Sequence, residues 1–322
     1  MLHGSNSELV IQNIQQRAAD RRKGVTDTDG RKIALIIEGG GMRSVCSGAG
    51  AAALGQLGLH DVFDEVYASS AGTMNAAYFM ANQPLLGMSV YFDNCTTWSF
   101  LNPFRIWKIL DVDYIVDHVV VVEKPLDVES IKGSSSRLLV SVCDSSTGEN
   151  LVIDVRDTMD PVHQVFKAAM ALPVLYNRSV LLGKRWCIDS GAFAPFPLEQ
   201  AFSRMCTDVL VLQTRPATFK EERPSLFQRM LFNSLHAPQS KHLRVAFAKR
   251  QVVSRTVRDL ALGRTSPPER INVASICPKE SEAIESMTTN RKATHRAAIG
   301  FGRQTFEVFG SDPDQFTLGV GG

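Results

Sequence analysis

Two tight turns, each placed between an apolar run and a stretch of small residues, constrain this chain more than any other feature. The first, at residues 38–43, contains three consecutive glycines and follows the apolar run at 33–37. The second, at 68–72, follows residues 65–67. Short branched apolar runs of this kind are typical of buried parallel strands, and the small residues that follow predict helices lying close on a sheet. The two units together predict an α/β layered fold.

The residues of the two turns are those that nucleophilic catalysis requires. Consecutive glycines leave backbone N–H groups bare at the start of a helix, where they can hold an anion. In the second turn, Ser70 stands two residues before Gly72, as in a nucleophile elbow, whose strained backbone exposes the serine hydroxyl. Because this hydroxyl is a weak nucleophile at neutral pH, Ser70 would need a base and oxyanion donors. The glycine turn could supply the donors.

Asp189 is the candidate base, because it ends the apolar run at 185–188 and begins an Asp-x-Gly turn. Taken in order, the triple-glycine-x-Arg loop, the serine elbow and the aspartate turn resemble the patatin-like phospholipases, which are lipid acyl hydrolases that use a Ser-Asp dyad without histidine. The resemblance covers about residues 31–216 and includes the small-residue segment at 168–173. It implies a nucleophile, a base, an oxyanion loop and an elbow at these positions: Ser70; Asp189; Gly39, Gly40, Gly41 and Arg43; Ala68 and Gly72.

Three positions depart from the family pattern, which has glycine at each of them. Ala68 adds a methyl group where a strand and a helix pack closely. Ser44 follows Arg43, and a positive φ there would be unfavourable for serine. Ser190 follows the aspartate. A non-catalytic lipid-binding or interaction protein on the same fold is therefore the alternative to an enzyme.

Each motif also has its own alternative interpretation. The glycines, with Asp61 further along, approximate a dinucleotide-binding fingerprint, although Asp61 lies in a predicted helix-to-strand connection. Ser70 could cap a helix, and Asp189 could cap its own turn. Arg43 could pair with Glu38 instead of supporting an oxyanion. A conventional Ser-Asp-His triad would use one of three downstream histidines, His236, His242 or His295.

Two segments bear on the substrate and on membrane contact. Residues 98–110 are rich in apolar side chains, which favours either ordinary core packing or an acyl pocket lined by Trp98, Phe104 and Trp107. Residues 241–258 contain six lysines and arginines and no acidic residue, with apolar side chains on one helical face. This pattern predicts a basic amphipathic helix, which is either solvated or attracted to an anionic membrane surface.

Composition narrows the remaining possibilities. The chain has 322 residues and a net charge of +2, so its charge gives no reason to expect nucleic-acid binding. Six cysteines occur singly and the histidines lack ligand spacing, so neither a metal nor another cofactor is expected. No apolar segment is long enough to span a membrane, and residues 1–30 lack the apolar core of a signal peptide. We therefore expect cytoplasmic residence, with or without peripheral membrane contact.

Strand and helix signals alternate along residues 31–310, which predicts one domain with a mainly parallel core sheet. The resemblance implies the three-layer patatin-like fold with helices on both faces. Residues 1–30 are expected to form a polar extension and residues 311–322 a tail. The implied function is a serine lipid acyl hydrolase of the phospholipase A or lysophospholipase type, acting on phospholipid or other acyl esters.

Overall fold

A mixed β-sheet of nine strands organises the part of the chain that the computed structural model describes. This part comprises residues 1–25, 30–105, 108–176, 178–220, 225, 230, 232 and 241–319. The strands are β1 (Leu2–His3), β2 (Ile33–Ile37), β3 (Glu65–Ser69), β4 (Arg137–Asp144), β5 (Asn150–Asp154), β6 (Val180–Leu182), β7 (Arg185–Asp189), β8 (Asp208–Leu212) and β9 (Asn272–Ile276). Their order is β1-β9-β8-β2-β3-β4-β7-β6, with β5 paired to β4. The strands from β9 to β4 are parallel, which confirms the predicted parallel core, and the outer pairings are antiparallel.

Helices connect these strands. They are α1 (Ser7–Arg22), α2 (Ser44–Gln56), α3 (Gly72–Met80), α4 (Pro84–Val90), α5 (Val128–Gly133), α6 (Val162–Met170), α7 (Leu198–Ser203), α8 (Lys241–Ala261) and α9 (Arg291–Val308). Two π-helical segments, Tyr91–Cys95 and Tyr114–Glu123, and short 3₁₀ turns such as Gly41–Arg43 complete the described elements. No helix among the described residues combines the length and the apolar character that crossing a bilayer would require.

The sheet is covered on both faces, because alternate side chains of its strands point to opposite sides. In β2, Ile33, Leu35 and Ile37 belong to a core that also contains side chains of α1, α2, α3, α6 and α9. Ala34 and Ile36 belong to a second core with α7 and α8. The predicted three-layer arrangement with helices on both faces is therefore confirmed.

The two ends of the chain pack on this domain, although the sequence predicts an extension and a tail. β1 pairs with β9, and α1 buries Val10 and Ile14 in the main core. Phe316, near the other end, is buried in the same core. The polar composition of α1 conceals this packing, because its buried Arg17 satisfies its charge with Asp64 at 2.6 Å.

Strand pairing brings two distant parts of the chain together at β4. One edge of β4 pairs with β5, so β3 and β7 must share the other edge. Ser69, the last residue of β3, pairs with Ser141, and Asp189, the last residue of β7, pairs with Val142. Because β3 and β7 run in opposite directions, the carboxyl end of β3 meets the carboxyl end of β7. The residue after β3 therefore lies beside the end of β7.

Candidate active site

Ser70 occupies the turn between β3 and α3 in a strained conformation. Its φ is 51°, in the left-handed region that non-glycine residues seldom adopt. The turn packs tightly against β2, since a Cβ at Gly72 would lie 2.4 Å from the carbonyl oxygen of Ile37. A left-handed serine followed by an obligatory glycine at the start of a helix is the geometry of a nucleophile elbow.

Asp189 contacts Ser70 directly. The Ser70 hydroxyl donates a hydrogen bond of 2.6 Å to one carboxylate oxygen, Oδ2, and the Gly191 amide donates one of 2.7 Å to the other, Oδ1. The Asp189 side chain is fully buried. Burial raises the pKa of this carboxyl from its ordinary value of 3.8 to about 7, although the two hydrogen bonds act in the opposite direction. Asp189 is thus able to exchange a proton near neutral pH.

The glycine loop touches the elbow through its backbone. A Cβ at Gly39 would lie 2.4 Å from the carbonyl oxygen of Ser69 and 2.5 Å from the Cβ of Ser70, so any side chain there would displace the loop. Gly41 has a φ of 62°, and a Cβ at this position would lie 2.6 Å from the carbonyl oxygen of Ser286. The glycines are therefore required at 39 and 41 by close approach and by backbone conformation.

Buried polar contacts hold this loop in place from behind. Glu38 accepts a hydrogen bond of 2.5 Å from the Thr214 amide and lies 3.8 Å from the guanidinium of the buried Arg258. The Thr214 hydroxyl donates to the Gly39 carbonyl at 3.1 Å, and the Met42 amide donates to Ser286 at 3.0 Å. Glu38 is thus held by the Thr214 amide and lies beside Arg258, a residue that the sequence did not suggest.

Sequence reasoning missed these supporting residues because they come from the segment after β8, from α8 and from the segment before α9. Thr214, Arg258 and Ser286 lie far from the glycine loop along the chain and match no local motif. The strand order gives one signal, because β8 is the parallel neighbour of β2 and its end must lie beside the end of β2. A polar residue directly after β8 is therefore placed to reach the loop.

The three departures from the family pattern fit without distortion. Ser44 has a φ of −64°, so the position does not need glycine. Ser190 is absent from the positive-φ residues, and its hydroxyl donates to the Ser141 carbonyl at 3.1 Å. Ala68 is fully buried in the core at its place in the sheet. The concerns raised by these residues therefore find no support in the geometry.

Two cavities meet at Ser70. The larger, of about 470 Å³, is lined by the glycine loop, Arg43, Asp189, residues 172–175, and side chains from β8 onward that include Arg215, Phe247 and Arg250. The smaller, of about 70 Å³, is apolar, and its lining includes Met42, Met74, Tyr91, Phe100, Val112, Ile115 and Met170. Gly41, Ser70, Leu110 and Leu172 line both. A molecule attached to Ser70 could therefore extend into either space.

The prediction that Trp98 and Phe104 line a pocket is wrong. Their rings stack on each other with centroids 6.0 Å apart, and the side chains are 63% and 82% exposed. Leu101 pairs with Leu110, so Phe104 lies inside the loop that this bridge closes and Trp98 precedes it. Phe100 and Leu110, from the same segment, line the apolar cavity instead. Trp107 lies outside the described residues.

The predicted basic amphipathic helix is confirmed as α8, with one correction. Leu243, Phe247 and Val257 face the protein, and Lys241, Arg244, Lys249 and Arg255 are exposed. Arg258 was expected to share the exposed basic face but is buried, because its partner Glu38 lies beneath the glycine loop.

The described residues give no support to a Ser-Asp-His triad, a dinucleotide site or a metal site. His242 and His295 are exposed and neither lines the cavity with Ser70, while His236 falls outside the described residues. Asp61 is exposed in a loop between α2 and β3, away from any strand end. In the described ranges, no three histidine, cysteine, aspartate or glutamate side chains gather as a metal site would require.

Comparison with known proteins agrees with these observations. The patatin-like phospholipase family profile matches residues 35–202, about half of the chain. The uncharacterized protein YjjU of Escherichia coli is 25% identical over 207 residues, which cover 62% of this chain and 56% of that relative. The crystal structure of VipD from Legionella pneumophila aligns over 87% of this chain and 67% of its own, with 12% identity and a TM-score of 0.46. On the extent of the family match, this chain belongs to the patatin-like phospholipases.

Proposed function

We propose that this protein is a serine lipid acyl hydrolase of the phospholipase A or lysophospholipase type, with Ser70 as nucleophile and Asp189 as its base. One observation carries the proposal, namely the 2.6 Å hydrogen bond from the strained Ser70 hydroxyl to the buried Asp189 carboxylate. Because this contact is direct, no imidazole is needed between the two side chains. The family resemblance and the cavity at Ser70 add support.

The reaction would proceed through an acyl-enzyme. Ser70 gives its proton to Asp189 as its oxygen attacks the ester carbonyl carbon, and the amides of residues 39–41 hold the negative oxygen of the tetrahedral intermediate. When the intermediate collapses, the bond to the alcohol oxygen breaks and Asp189 returns the proton to that oxygen. Water then attacks the acyl-enzyme and loses a proton to Asp189, which passes it to the Ser70 oxygen as the acyl bond to that oxygen breaks and the fatty acid leaves. Arg43, which lines the same cavity, adds positive charge near the loop.

The apolar cavity suits the acyl chain. None of the described residues that line it is charged, and Met42, Met74 and Met170 provide flexible side chains that adapt to an alkyl chain. Since Ser70 lies at the junction, an acyl group in this cavity leaves the alcohol portion of the ester in the larger one. The site thus separates the two halves of a lipid ester on the two sides of the nucleophile.

Peripheral contact with a membrane surface forms part of the proposal. The exposed rings of Trp98 and Phe104 stack on each other in the segment that leads to Leu110, a residue of both cavities. Helix α8 presents its exposed cations on an element that also lines the larger cavity. Exposed aromatic rings and cations together are typical of proteins that bind at the interface of anionic bilayers.

Vesicle sedimentation tests the membrane contact. Replacing Trp98 and Phe104 by alanine should weaken binding to anionic vesicles, and so should replacing Lys241, Arg244, Lys249 and Arg255 by glutamate. Each cation near the surface contributes about 1 kcal/mol, so the fourfold variant should lose at least about a thousandfold in affinity at low salt. Equal binding by the variants and the wild type would refute membrane contact while leaving the hydrolase proposal intact.

A fluorophosphonate probe tests the catalytic proposal itself, because it labels serines that act as nucleophiles. We expect labelling of the wild-type protein and hydrolysis of short-chain acyl esters, and we expect Ser70→Ala to abolish both. The matched control is Ser69→Ala, since Ser69 is the neighbouring serine and its hydroxyl donates to the Pro195 carbonyl. Absence of labelling in the wild type would favour a non-catalytic lipid-binding protein.

A further inference from the structure

One buried side chain joins the helix that follows the nucleophile to both ends of the glycine loop. Asn75 lies in α3, five residues after Ser70, and is buried. Its side-chain amide donates a hydrogen bond of 2.8 Å to the Ser44 carbonyl and a longer one of 3.3 Å to the Ser47 hydroxyl. Ser44 and Ser47 belong to the first turn of α2, directly after the loop, and both are fully buried. The start of α2 is therefore bonded to α3.

Ser47 extends this contact to the other end of the loop. Its hydroxyl accepts the bond from Asn75 and donates to the Glu38 carbonyl at 2.8 Å, with the Ser44 carbonyl at 3.0 Å as a second acceptor. Glu38 directly precedes Gly39, so this carbonyl stands where the loop begins. One side-chain amide thus reaches residue 44 directly and residue 38 through a single hydroxyl.

We propose that Asn75 is a positioning residue, which fixes the glycine loop relative to the Ser70 hydroxyl through its bonds to α2. This inference rests on the proposed function, because that function assigns the loop amides to the oxyanion. It goes further by giving a part in the reaction to a side chain that lies outside the described linings of both cavities.

The contact requires a donor of the size of asparagine. A backbone carbonyl only accepts hydrogen bonds, so the Asn75 atom that lies 2.8 Å from the Ser44 oxygen is the amide nitrogen, and its two hydrogens serve the two acceptors. Gly48 makes room for the other side of the amide, since a Cβ there would lie 2.8 Å from the Asn75 Oδ1. An apolar side chain of the same size would fill this space but would leave the buried acceptors without these donors.

The position of the link is what connects it to the reaction rate. Ser70 has a strained backbone, which persists only where the surrounding structure fixes it. The close contact between Gly39 and Ser70 limits how near the loop can come, but packing alone does not stop the loop from moving away. Directional hydrogen bonds from α3 to both ends of the loop provide that second restraint. Because a displacement of about 1 Å in a catalytic group can cost about 100-fold in rate, the restraint bears on turnover.

Asn75→Leu tests this role, because leucine has nearly the same size as asparagine and no donor. With a short-chain acyl ester as substrate, we expect kcat to fall about 100-fold and KM to stay within about twofold of the wild-type value. The matched control is Asn13→Leu, since Asn13 is also buried and its amide donates at 2.8 Å to Asp208, at the opposite end of the sheet. The control should lower the urea midpoint of unfolding to a similar extent and keep the wild-type kcat.

Ser47→Ala provides a second test, which remains available if Asn75→Leu does not fold. It removes only the relay to Glu38, and alanine is favourable within a helix. Since a neutral hydrogen bond contributes enough for about a tenfold effect, kcat should fall about tenfold. Its control is Ser136→Ala, because the Ser136 hydroxyl is buried and donates to the Phe63 carbonyl at 2.5 Å. If kcat in the folded Asn75 and Ser47 variants equals that of their controls, or if KM alone changes, the proposal is overturned.

Hydrogen exchange separates this inference from the proposed function, because it requires no turnover. The backbone amides of residues 39–43 should exchange at least about tenfold faster in Asn75→Leu than in the wild type, and at the wild-type rate in Asn13→Leu. If the wild type neither hydrolyses esters nor reacts with a fluorophosphonate, but this acceleration is observed, Asn75 fixes the loop and the hydrolase proposal fails. If the wild type is active, but exchange and kcat in Asn75→Leu match those of Asn13→Leu, the positioning role is wrong and the hydrolase proposal stands.

Discussion

Two buried carboxylates at opposite ends of β3 have opposite electrostatic surroundings. Glu65 begins the strand and is 2% exposed, and Asp189 lies beyond its other end and is fully buried. Glu65 accepts hydrogen bonds from Arg204 at 2.6 Å and from the Tyr67 hydroxyl at 2.5 Å, and it lies 2.9 Å from the ammonium of Lys32. Asp189 accepts its hydrogen bonds from two neutral donors, the Ser70 hydroxyl and the Gly191 amide.

The two environments shift the carboxyl pKa values in opposite directions. Burial alone would raise the pKa of Glu65, but the hydrogen bonds from Arg204, Tyr67 and Lys32 outweigh it and lower that pKa to about 2. For Asp189, burial dominates, and the pKa rises to about 7. Burial therefore makes a carboxylate basic only where no cation compensates for the lost solvent. By this criterion Glu65 stabilises the fold as an ionised side chain, and Asp189 is suited to accept and donate a proton.

The largest expected effect of the difference is on catalysis. Asp189→Asn keeps the shape of the side chain but cannot accept the Ser70 proton, so turnover of a short-chain ester should fall about 10³- to 10⁴-fold. Glu65→Gln is the matched carboxylate-to-amide control and should keep most of the activity at 20 °C. Retention of activity in Asp189→Asn would return that residue to a turn-capping role.

The next effect concerns the oxyanion loop. The Met42 amide is already bonded to Ser286, so the test concerns two of the three proposed donors, the amides of Gly40 and Gly41. Proline is unsuitable as a test, because the φ of 62° at Gly41 is closed to it. An amide-to-ester substitution removes the N–H alone, and at one of the two positions it should lower kcat about 100- to 1000-fold. The same substitution at Met42 is the control. If kcat stays at the wild-type value in both backbone-ester variants, at Gly40 and at Gly41, the oxyanion is bound elsewhere.

A smaller effect is expected on stability at the Glu65 end of the strand. Glu65→Gln removes the charge that Arg204 and Lys32 bind, and it should cost about 2–4 kcal/mol in the free energy of unfolding at pH 7. Because the folded pKa lies below the ordinary value of 4.5, the ionised glutamate stabilises the fold above that pH. The difference between variant and wild type, measured by urea denaturation, should shrink as the pH falls from about 4.5 towards 2. A difference independent of pH would contradict the ion-pair account.

The smallest expected effect is a gain in stability at the Asp189 end, opposite in sign to the loss expected for Glu65→Gln. Since the Asp189 pKa is raised on folding, the folded protein binds more protons than the unfolded chain between pH 3.8 and about 7, and wild-type stability falls across this window. Asp189→Asn removes the buried charge and should therefore raise the free energy of unfolding at pH 8 by about 1–3 kcal/mol. At pH 4 the gain should vanish. A destabilised variant at pH 8 would mean that cations compensate Asp189 after all.

Local patterns predicted the elements around the site well. Ile33–Ile37 is the strand that the apolar run at 33–37 predicts, and the apolar run at 185–188 lies within the strand Arg185–Asp189. These signals are local, because apolar runs and turn residues fix strands and turns within a few positions. The contact between Ser70 and Asp189 was reached by family resemblance, since Asp-Ser-Gly by itself is ordinary turn chemistry.

Features set by distant packing could not be read in the same way. Arg258 has the spacing of a surface cation on α8, and only the position of Glu38 beneath the glycine loop explains its burial. The apolar segment at 98–110 suits a pocket wall by its composition, but in the folded chain Trp98 and Phe104 stack on each other with their side chains exposed. The environments of Glu65 and Asp189 likewise depend on residues far away in sequence, including Arg204 for the former. Their opposite pKa values are properties of the tertiary structure.

The pH dependence of Ser70 labelling tests the central claim most directly. An uncharged fluorophosphonate reports the reactivity of the serine without a substrate charge, and Asp189 must be deprotonated to accept the Ser70 proton. The account predicts that the labelling rate rises with pH through an apparent pKa near 7, levels off above pH 8, and falls to background in Asp189→Asn. A rate that is already maximal at pH 5, or a profile unchanged in that variant, would show that Asp189 is not the base.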